Sequence, residues 1–207
     1  MDVQQLPRGR HRLAREEVLA SQRGRMLVAM SEAVAERGYA KTSVAEVLKR
    51  ARVSRETFYE HFQNKEQCFN AAYDGAAMLL ATEIGTGLAA SSEERDVAER
   101  LNDLLRRYLE TLQSEPALAR TFLVEVYAAG PDALERRVEV QNRFVDLVAF
   151  IAGAKDEKQR FACETIVAAV SALVTQRVCA GKTHELTELE EPLTDLVTEL
   201  LEVVGLG

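Results

Sequence analysis

Apolar residues recur at intervals of three and four positions along nearly the whole chain, as they do on the buried face of a helix. A first helix is predicted over about 15–37, with Leu27, Met30 and Val34 on one face. Gly38 follows at a position where helix ends favour a residue that tolerates positive φ. No segment shows the sustained alternation of apolar and polar residues that is typical of a half-buried strand. The pattern therefore predicts an all-α protein.

Two short helices separated by a brief turn are predicted next. Thr42 or Ser43 can cap the second helix, which is about two turns long. Ser54 can cap the third helix, on which Phe58 and Phe62 lie four residues apart and face inward. With the first helix they predict a small three-helix core in a helix-turn-helix arrangement.

The rest of the chain predicts a larger helical domain. A fourth helix begins at Lys65 behind Asn64 and runs towards Ile84, and a polar connection follows at 85–92. Further helices are predicted over 94–113, 116–129, 131–152, 156–180 and 192–204. The predicted division is a basic N-terminal arm (1–20), a helix-turn-helix domain (21–66) and a larger helical domain (67–207).

The net charge of -7 conceals a difference in sign between the two ends of the chain. Residues 1–65 contain 13 Lys and Arg against 8 Asp and Glu, whereas residues 66–207 contain 13 against 25. A basic first third on an acidic body suggests that one end meets a polyanion. A solvated charged helix face would give the same imbalance, and charge alone does not separate the two interpretations.

Composition argues against several other classes of protein. The longest run without a charge, Thr165 to Gln176, has 12 residues, fewer than the roughly 20 of a membrane span. We therefore expect no membrane segment. Three cysteines without CxxC spacing and the lack of an apolar leader favour a reduced, cytoplasmic protein. The three histidines lack metal-ligand spacing and no phosphate loop or nucleophile motif is present, so no catalytic, metal or cofactor site is predicted.

The segment 42–65, TSVAEVLKRARVSRETFYEHFQNK, carries polar residues that suit DNA. In a helix-turn-helix unit, the N-terminal residues of the second helix meet base edges while flanking groups hold phosphates. Thr42 could serve as both helix cap and phosphate ligand. Because Phe58 and Phe62 fix the inward face, the outward set is Arg55, Thr57, Tyr59 and His61.

Each outward residue has a chemical match on DNA. Arg55 suits bidentate contact with guanine, and Thr57 suits a base or a thymine methyl. Tyr59, His61 and Lys65 suit phosphate oxygens. Taken singly, each would be an ordinary surface, packing or capping residue. Their combination on two short helices with aromatic inward positions favours the DNA-binding interpretation.

Gly38-Tyr39, Thr42, VSRETFYEHF and Asn64-Lys65-Glu66 together resemble the signature of the TetR family of bacterial transcriptional regulators, most specifically over 26–69. The resemblance implies a homodimer with an N-terminal DNA-binding domain, a C-terminal ligand pocket and dimerisation through the last two long helices. By matching positions, it also implies DNA contacts from Thr42, Ser54, Arg55, Thr57, Tyr59, His61 and Lys65.

Three residues depart from the family pattern. Arg52 stands where the family usually has a turn glycine, so it either adopts a left-handed conformation at a cost of about 1–2 kcal/mol or takes another turn geometry and reaches a phosphate. Glu56 and Glu60 place negative charge on the recognition helix; either one could accept from a cytosine amine or lie away from the groove.

The basic residues before the first helix allow two interpretations. Arg8, Arg10, His11, Arg12 and Arg15 could form an arm that enters the minor groove. They could also form a disordered tail that adds only bulk electrostatic attraction.

The larger domain supplies candidate residues for two more sites, although both sets also suit ordinary core or intrachain packing. Candidates for a pocket that takes a mainly apolar small molecule are Phe69, Tyr73, Tyr108, Phe122, Tyr127, Gln141, Phe144, Phe161 and Thr165. Candidates for a four-helix dimer interface are Ala168, Ala172, Thr175, Leu193, Leu196, Val197 and Leu200.

Two functional hypotheses follow from the sequence. The first is a homodimeric repressor that binds double-stranded DNA at a palindromic operator and is released by a ligand that tilts the fourth helix. The second, motivated by Arg52, Glu56 and Glu60, is a helical ligand-binding or interaction protein without sequence-specific DNA binding.

Overall fold

The computed structural model describes residues 15–90 and 96–206, and within these ranges the chain forms helices and no strand. The all-α prediction is confirmed. The α-helices are α1 Arg15–Arg37, α2 Val44–Ala51, α3 Arg55–His61, α4 Lys65–Ala90, α5 Val97–Ser114, α6 Pro116–Leu123, α7 Pro131–Ala152, α8 Glu157–Cys179 and α9 Glu190–Val203. Two 3₁₀ segments, Glu125–Ala128 and Thr183–Leu189, precede α7 and α9.

Local capping explains where the first helices start. Ser43, Ser54 and Asn64 each accept a hydrogen bond from the backbone N–H three residues later, at 3.2, 3.0 and 2.8 Å. Each bond satisfies one of the donors that a helix start leaves unpaired. Of the two candidate caps of α2, Ser43 takes the role and Thr42 does not.

The three-helix unit, α1–α3, closes over a dense apolar core. Met26 and Met30 of α1 meet Val47 of α2 and Phe58 of α3, and all four side chains are fully buried. The ring of Phe62 packs 5.5 Å from that of Phe58. Helix α1 also contacts α4 and α6, so the unit rests directly on the larger domain.

Three element boundaries differ from the sequence prediction. Helix α4 continues to Ala90, so 85–90 is helical where a polar connection was expected. A glycine within a helix costs only about 1 kcal/mol, which packing of the same helix against α5 readily offsets. The segment 116–129 divides into α6 and a 3₁₀ segment, and α9 starts two residues before Pro192.

The predicted N-terminal arm falls mostly outside the described residues. Arg8, Arg10, His11 and Arg12 belong to that part. Residues 15–20, which were assigned to the arm, already belong to α1.

The remaining long helices form the cavity bundle, α5–α9, in which α5 and α7 face α8 and α9 around an internal cavity. Helix α8 lies at the surface of this bundle. By length and composition alone, α8 is long and apolar enough to cross a membrane. Of its apolar 18-residue stretch, 22% is buried within the protein. The expectation that the chain has no membrane segment stays a prediction. One such helix is weak evidence for a span, because a core helix of a soluble protein meets the same criteria.

Candidate nucleic-acid interface and ligand cavity

The outward face of α3 centres on Arg55 and Tyr59. Tyr59 is 46% exposed although it is aromatic. The guanidinium carbon of Arg55 lies 5.4 Å from the centre of the Tyr59 ring, and Arg55 Nη2 lies 3.4 Å from Tyr59 Oη. A cation over an aromatic face is stabilised by the ring quadrupole. The pair presents a guanidinium and a phenol together at the surface, where both can donate to DNA.

Ser54 and Thr57 form the start of α3. The Ser54 hydroxyl accepts from the Thr57 backbone N–H, and the two side-chain hydroxyls lie 2.9 Å apart. Both side chains therefore fix the helix start as well as border the outward face. His61, at the other end, is half-buried, and its Nε2 is buried without a hydrogen-bond partner among the described residues. A phosphate contact through Nε2 thus needs the ring to turn.

Thr42 and Lys65 are engaged inside the protein. Thr42 is only 3% exposed, and its hydroxyl donates to the Gly38 carbonyl at 2.9 Å. Lys65 Nζ donates to the Tyr39 carbonyl at 2.9 Å and lies 3.9 Å from the centre of that ring. Burial lowers the pKa of Lys65. Both side chains hold the turn between α1 and α2, and their phosphate contacts stay a prediction.

Arg52 adopts the left-handed conformation, with φ 54° and ψ 48°, at the end of α2. It is the only non-glycine residue with positive φ in the described ranges. The alternative turn geometry is therefore wrong, and the turn carries a conformational cost of about 1–2 kcal/mol. The side chain remains exposed beside α3.

Charge on the three-helix unit is only partly available to a polyanion. Arg50 donates to both carboxylate oxygens of Glu36, at 2.8 and 2.5 Å, and to Glu46 at 3.0 Å. The hydrogen bond from Arg50 lowers the pKa of Glu36. Glu56 and Glu60 are exposed on α3 itself. The recognition helix therefore presents both signs of charge.

The helices of the cavity bundle line a cavity of about 90 Å³ that is partly open to the surface. Its wall is mostly aliphatic and comes from α5, α6, α7, α8 and α9. Four predicted pocket residues line it: Tyr108, Phe122, Gln141 and Phe144. The other five do not. Phe69 and Tyr73 are fully buried elsewhere in the core, and Tyr127, Phe161 and Thr165 are exposed at the surface.

One cation interrupts the apolar wall of the cavity. Arg137 Nε donates to Tyr127 Oη at 2.8 Å, and Arg137 Nη2 lies 3.4 Å from Ser171 Oγ. Burial raises the pKa of Tyr73 and of Tyr108, and in both cases the nearby charge of Arg137 opposes the shift. Sequence reasoning missed Arg137, since a charged residue on a long helix gives no signal that it faces a cavity.

A buried carboxylate joins the cavity bundle to the three-helix unit. Glu125, 6% exposed, accepts from the Tyr39 backbone N–H at 2.8 Å and pairs with Arg120 at 3.1 Å. Gly38 lies beside this carboxylate and has a φ of 79°, a conformation that favours glycine. Sequence reasoning missed Glu125 too, although it is the single charge between Arg120 and Asp132 and an isolated charge in an apolar run signals a buried partner.

An aromatic contact links this junction to the cavity. Phe122 lines the cavity from α6, three residues before Glu125, and its ring stacks on that of Tyr73 at 5.2 Å and 16°. Tyr73 belongs to α4, the helix that starts at the end of the three-helix unit. A displacement of Phe122 would therefore bear on both α4 and Glu125.

The predicted dimer residues divide between the surface and the interior. Leu193 is buried within the chain, Val197 lines the cavity, and Thr175 is half-buried with its hydroxyl donating to the Ser171 carbonyl at 2.7 Å. Ala168, Ala172, Leu196 and Leu200 are exposed. The outer apolar face consists of Phe161, Thr165, Ala168 and Ala172 of α8 with Leu196, Leu200 and Val203 of α9, at helical spacings of three and four.

A short capped helix presenting a cationic and aromatic face, held by a second short helix and a turn, defines a helix-turn-helix DNA-binding protein. Residues 27–72 match the family described as "Bacterial regulatory proteins, tetR family". These residues form the DNA-binding domain of the TetR family, and the chain is similar to transcriptional regulators of that family. No group of three or more candidate metal ligands comes together in the part of the chain that the structure describes.

Known proteins similar to this chain include a regulator from Mycolicibacterium smegmatis. The HTH-type transcriptional activator FasR is 24% identical over 162 residues, covering 76% of this chain and 71% of FasR. Two solved structures share the fold. The fatty acid degradation regulator FadR from Bacillus halodurans superposes with a TM-score of 0.74 at 22% identity, covering 85% of this chain and 94% of that one. FadR from Bacillus subtilis, solved with stearoyl-CoA, gives 0.71 at 18% identity, covering 84% and 96%.

Proposed function

We propose that this regulator is a homodimeric repressor that binds a palindromic operator and leaves it when a mainly apolar small molecule occupies the cavity. One observation carries the proposal. Phe122 lines the cavity, and Glu125, three residues further along the chain, accepts a hydrogen bond from Tyr39 at the base of the helix-turn-helix. Ligand binding and DNA binding are therefore coupled by direct contact between packed elements.

DNA contact in this proposal comes from the exposed face of α3 and its flanking turn. Arg52, Arg55, Thr57 and Tyr59 provide donors to bases and phosphates, with Ser54 at the helix start. His61 contributes after its ring turns. Thr42 and Lys65 act indirectly, since they fix the turn that sets the angle of α2 and α3.

Dimerisation in this proposal uses the outer apolar face of α8 and α9. Phe161 is 68% exposed and Val203 is 77% exposed, values that are unusual for large apolar side chains on regular helices. Two copies of the face would pair in a four-helix arrangement around a two-fold axis. That symmetry would place two recognition helices on the two half-sites of a palindrome.

The ligand in this proposal is aliphatic, which the wall of the cavity and the stearoyl-CoA complex of the Bacillus subtilis relative both support. The cavity holds about 90 Å³, whereas pockets for drug-sized ligands measure about 300–1,000 Å³. A long acyl chain therefore enters only when the surrounding helices move apart. If the widened state binds DNA less well, the ligand shifts the population away from the operator.

Activation is the second candidate for the direction of regulation, because the relative FasR is an activator. Both directions use the same DNA contacts. A reporter gene behind the natural operator separates them: loss of the regulator raises transcription for a repressor and lowers it for an activator.

The test begins with selection of random duplexes by the purified protein, followed by affinity titration of the enriched sequence at several salt concentrations. We expect a palindrome bound by two chains, with an affinity that falls steeply as salt rises. Arg55→Ala should weaken binding at least tenfold, whereas Arg160→Ala, which removes an arginine paired with Asp146 on the cavity bundle, should not. Absence of an enriched motif would favour an interaction protein without sequence-specific DNA binding.

A further inference from the structure

The wall of the cavity holds one guanidinium in a position that ordinary packing does not explain. Arg137, Gln141 and Phe144 follow one another on the cavity face of α7 at helical spacing, and Val140 and Val148 continue the same face. Ordinary core packing would place an apolar side chain at each of these positions. Position 137 instead carries a permanent positive charge.

The partners of Arg137 differ from those of five other arginines in the described ranges. Arg50, Arg106, Arg120, Arg136 and Arg160 each pair with a carboxylate. Arg137 meets only two neutral hydroxyl groups, those of Tyr127 and Ser171. A partly buried cation without an anion is costly. An incoming anion would remove that cost.

The guanidinium of Arg137 is also held in place with donors to spare. Tyr127 supports it from one side, with the guanidinium carbon 5.0 Å from the ring centre, and also binds Nε. Ser171 lies against Nη2. Of the five N–H groups of an arginine, three have no hydrogen bond within the described residues. Fixed donors of this kind suit the two oxygens of a carboxylate or phosphate.

We infer that the ligand of this cavity carries an acidic group, a carboxylate or a phosphate, which binds Arg137 while its aliphatic part lies along the apolar wall. The inference rests on the proposed function, because it takes the cavity as the ligand site. It adds the class of ligand, an anionic amphiphile, and the residue that selects it. Neutral aliphatic molecules of the same length bind the same wall without this contact.

Calorimetric titration of the full-length protein with decanoate, decanol and decanoyl-CoA tests the inference. The three probes share a chain length and differ in the head group. We expect decanoate or decanoyl-CoA to bind at least tenfold more tightly than decanol. Tighter binding of decanoate would identify the acidic group as a carboxylate, and tighter binding of decanoyl-CoA would identify it as a phosphate.

Three variants locate the contact. Arg137→Gln should weaken the preferred anionic probe about 10- to 100-fold and leave decanol unchanged, because it removes a charge-assisted hydrogen bond but no apolar wall. The affinity of Arg137→Lys for the anionic probe should lie between those of the unchanged protein and Arg137→Gln, since lysine keeps the charge and loses the paired donors. Arg136→Gln, which breaks the neighbouring 2.7 Å pair with Asp74 outside the cavity, should change no probe.

The possible failures are distinguishable. Equal binding of decanol and the anionic probes, or an Arg137→Gln variant that binds all three normally, overturns the inference and leaves an apolar ligand site standing. Failure of all three probes to bind a protein that still recognises its operator overturns the inference together with the proposed ligand response. Helicity and thermal unfolding of each variant confirm that it remains folded.

Discussion

The three-helix unit and the cavity bundle are built in opposite ways. In the first, α2 and α3 have only 8 and 7 residues, yet each starts at a serine cap and shares a fully packed core. In the second, helices of up to 23 residues surround a cavity. Short helices of this kind are not stable alone, so their order comes entirely from caps and packing.

The chain thus combines a rigid DNA-binding surface with a ligand cavity whose walls can move. A surface that reads DNA needs side chains fixed to within a fraction of an ångström, which a closed core provides. A cavity that admits a ligand needs walls that separate at modest cost, which long helices around a void provide. The hydrogen bond that Glu125 accepts from Tyr39 joins the two regions.

The largest expected effect comes from opening a cavity in the three-helix unit. Phe58→Ala should lower the free energy of unfolding by about 3–5 kcal/mol and abolish operator binding, because the ring is fully buried between all three helices. Phe144→Ala, at the half-buried wall of the existing cavity, should cost roughly half as much. Urea unfolding of both variants measures the difference. Equal costs would show that the two regions pack alike.

Removal of the junction carboxylate should have the next largest effect. Glu125→Ala leaves the Tyr39 N–H and the Arg120 guanidinium without their acceptor, at a cost of about 1–3 kcal/mol. Glu125→Gln keeps an acceptor for Tyr39 and should cost less. We expect the Ala variant to uncouple operator affinity from ligand binding, as measured by DNA titration with and without ligand. Unchanged coupling would show that Glu125 does not link ligand binding to operator affinity.

Loss of a helix cap should have a smaller effect that depends on the region. Ser54→Ala and Asp156→Ala each remove a side chain that accepts from the backbone three residues later, and each should cost about 1 kcal/mol. Only the first should weaken operator binding, because it loosens the start of α3. Fluorescence anisotropy with labelled operator separates the variants. A similar loss from Asp156→Ala would mean that general destabilisation, rather than α3, governs affinity.

The smallest expected effect is a gain in stability. Arg52→Gly should raise the free energy of unfolding by up to about 1 kcal/mol, since glycine accepts the left-handed conformation without strain. Lys49→Gly, in the regular part of α2, should instead lower it by about 1 kcal/mol. Opposite signs in urea unfolding confirm the conformational origin. Weaker operator binding by Arg52→Gly alone would assign the lost side chain to a DNA contact.

The sequence predicts the three-helix unit in detail because its signals are local. Serine and asparagine caps, a glycine at a helix end and two phenylalanines four residues apart each act within one turn of their own position. The conformation of Arg52 is less well determined, because the sequence allows both a left-handed turn and another geometry, and the structure has the left-handed one. What local signals miss is the inward use of Thr42 and Lys65, which bind carbonyl groups of the neighbouring turn.

The cavity bundle is harder to predict because its site depends on contacts between distant helices. Aromatic residues at helical spacing are equally suited to a core, a cavity wall and an interface. Phe161 and Thr165 illustrate this, since their spacing continues directly into Ala168 and Ala172 on the outer face of α8. Tyr108 and Phe144 face each other across the bundle, at 5.9 Å between ring centres, from positions 36 residues apart.

The cavity also has a mechanical consequence. A cavity of about 90 Å³ adds to the volume that a protein loses on unfolding, which is typically about 20–100 mL/mol. Hydrostatic pressure therefore works against the cavity bundle first and drives water between its helices. The closely packed three-helix unit has little cavity volume to lose. Pressure therefore loosens the cavity bundle while the three-helix unit keeps its structure.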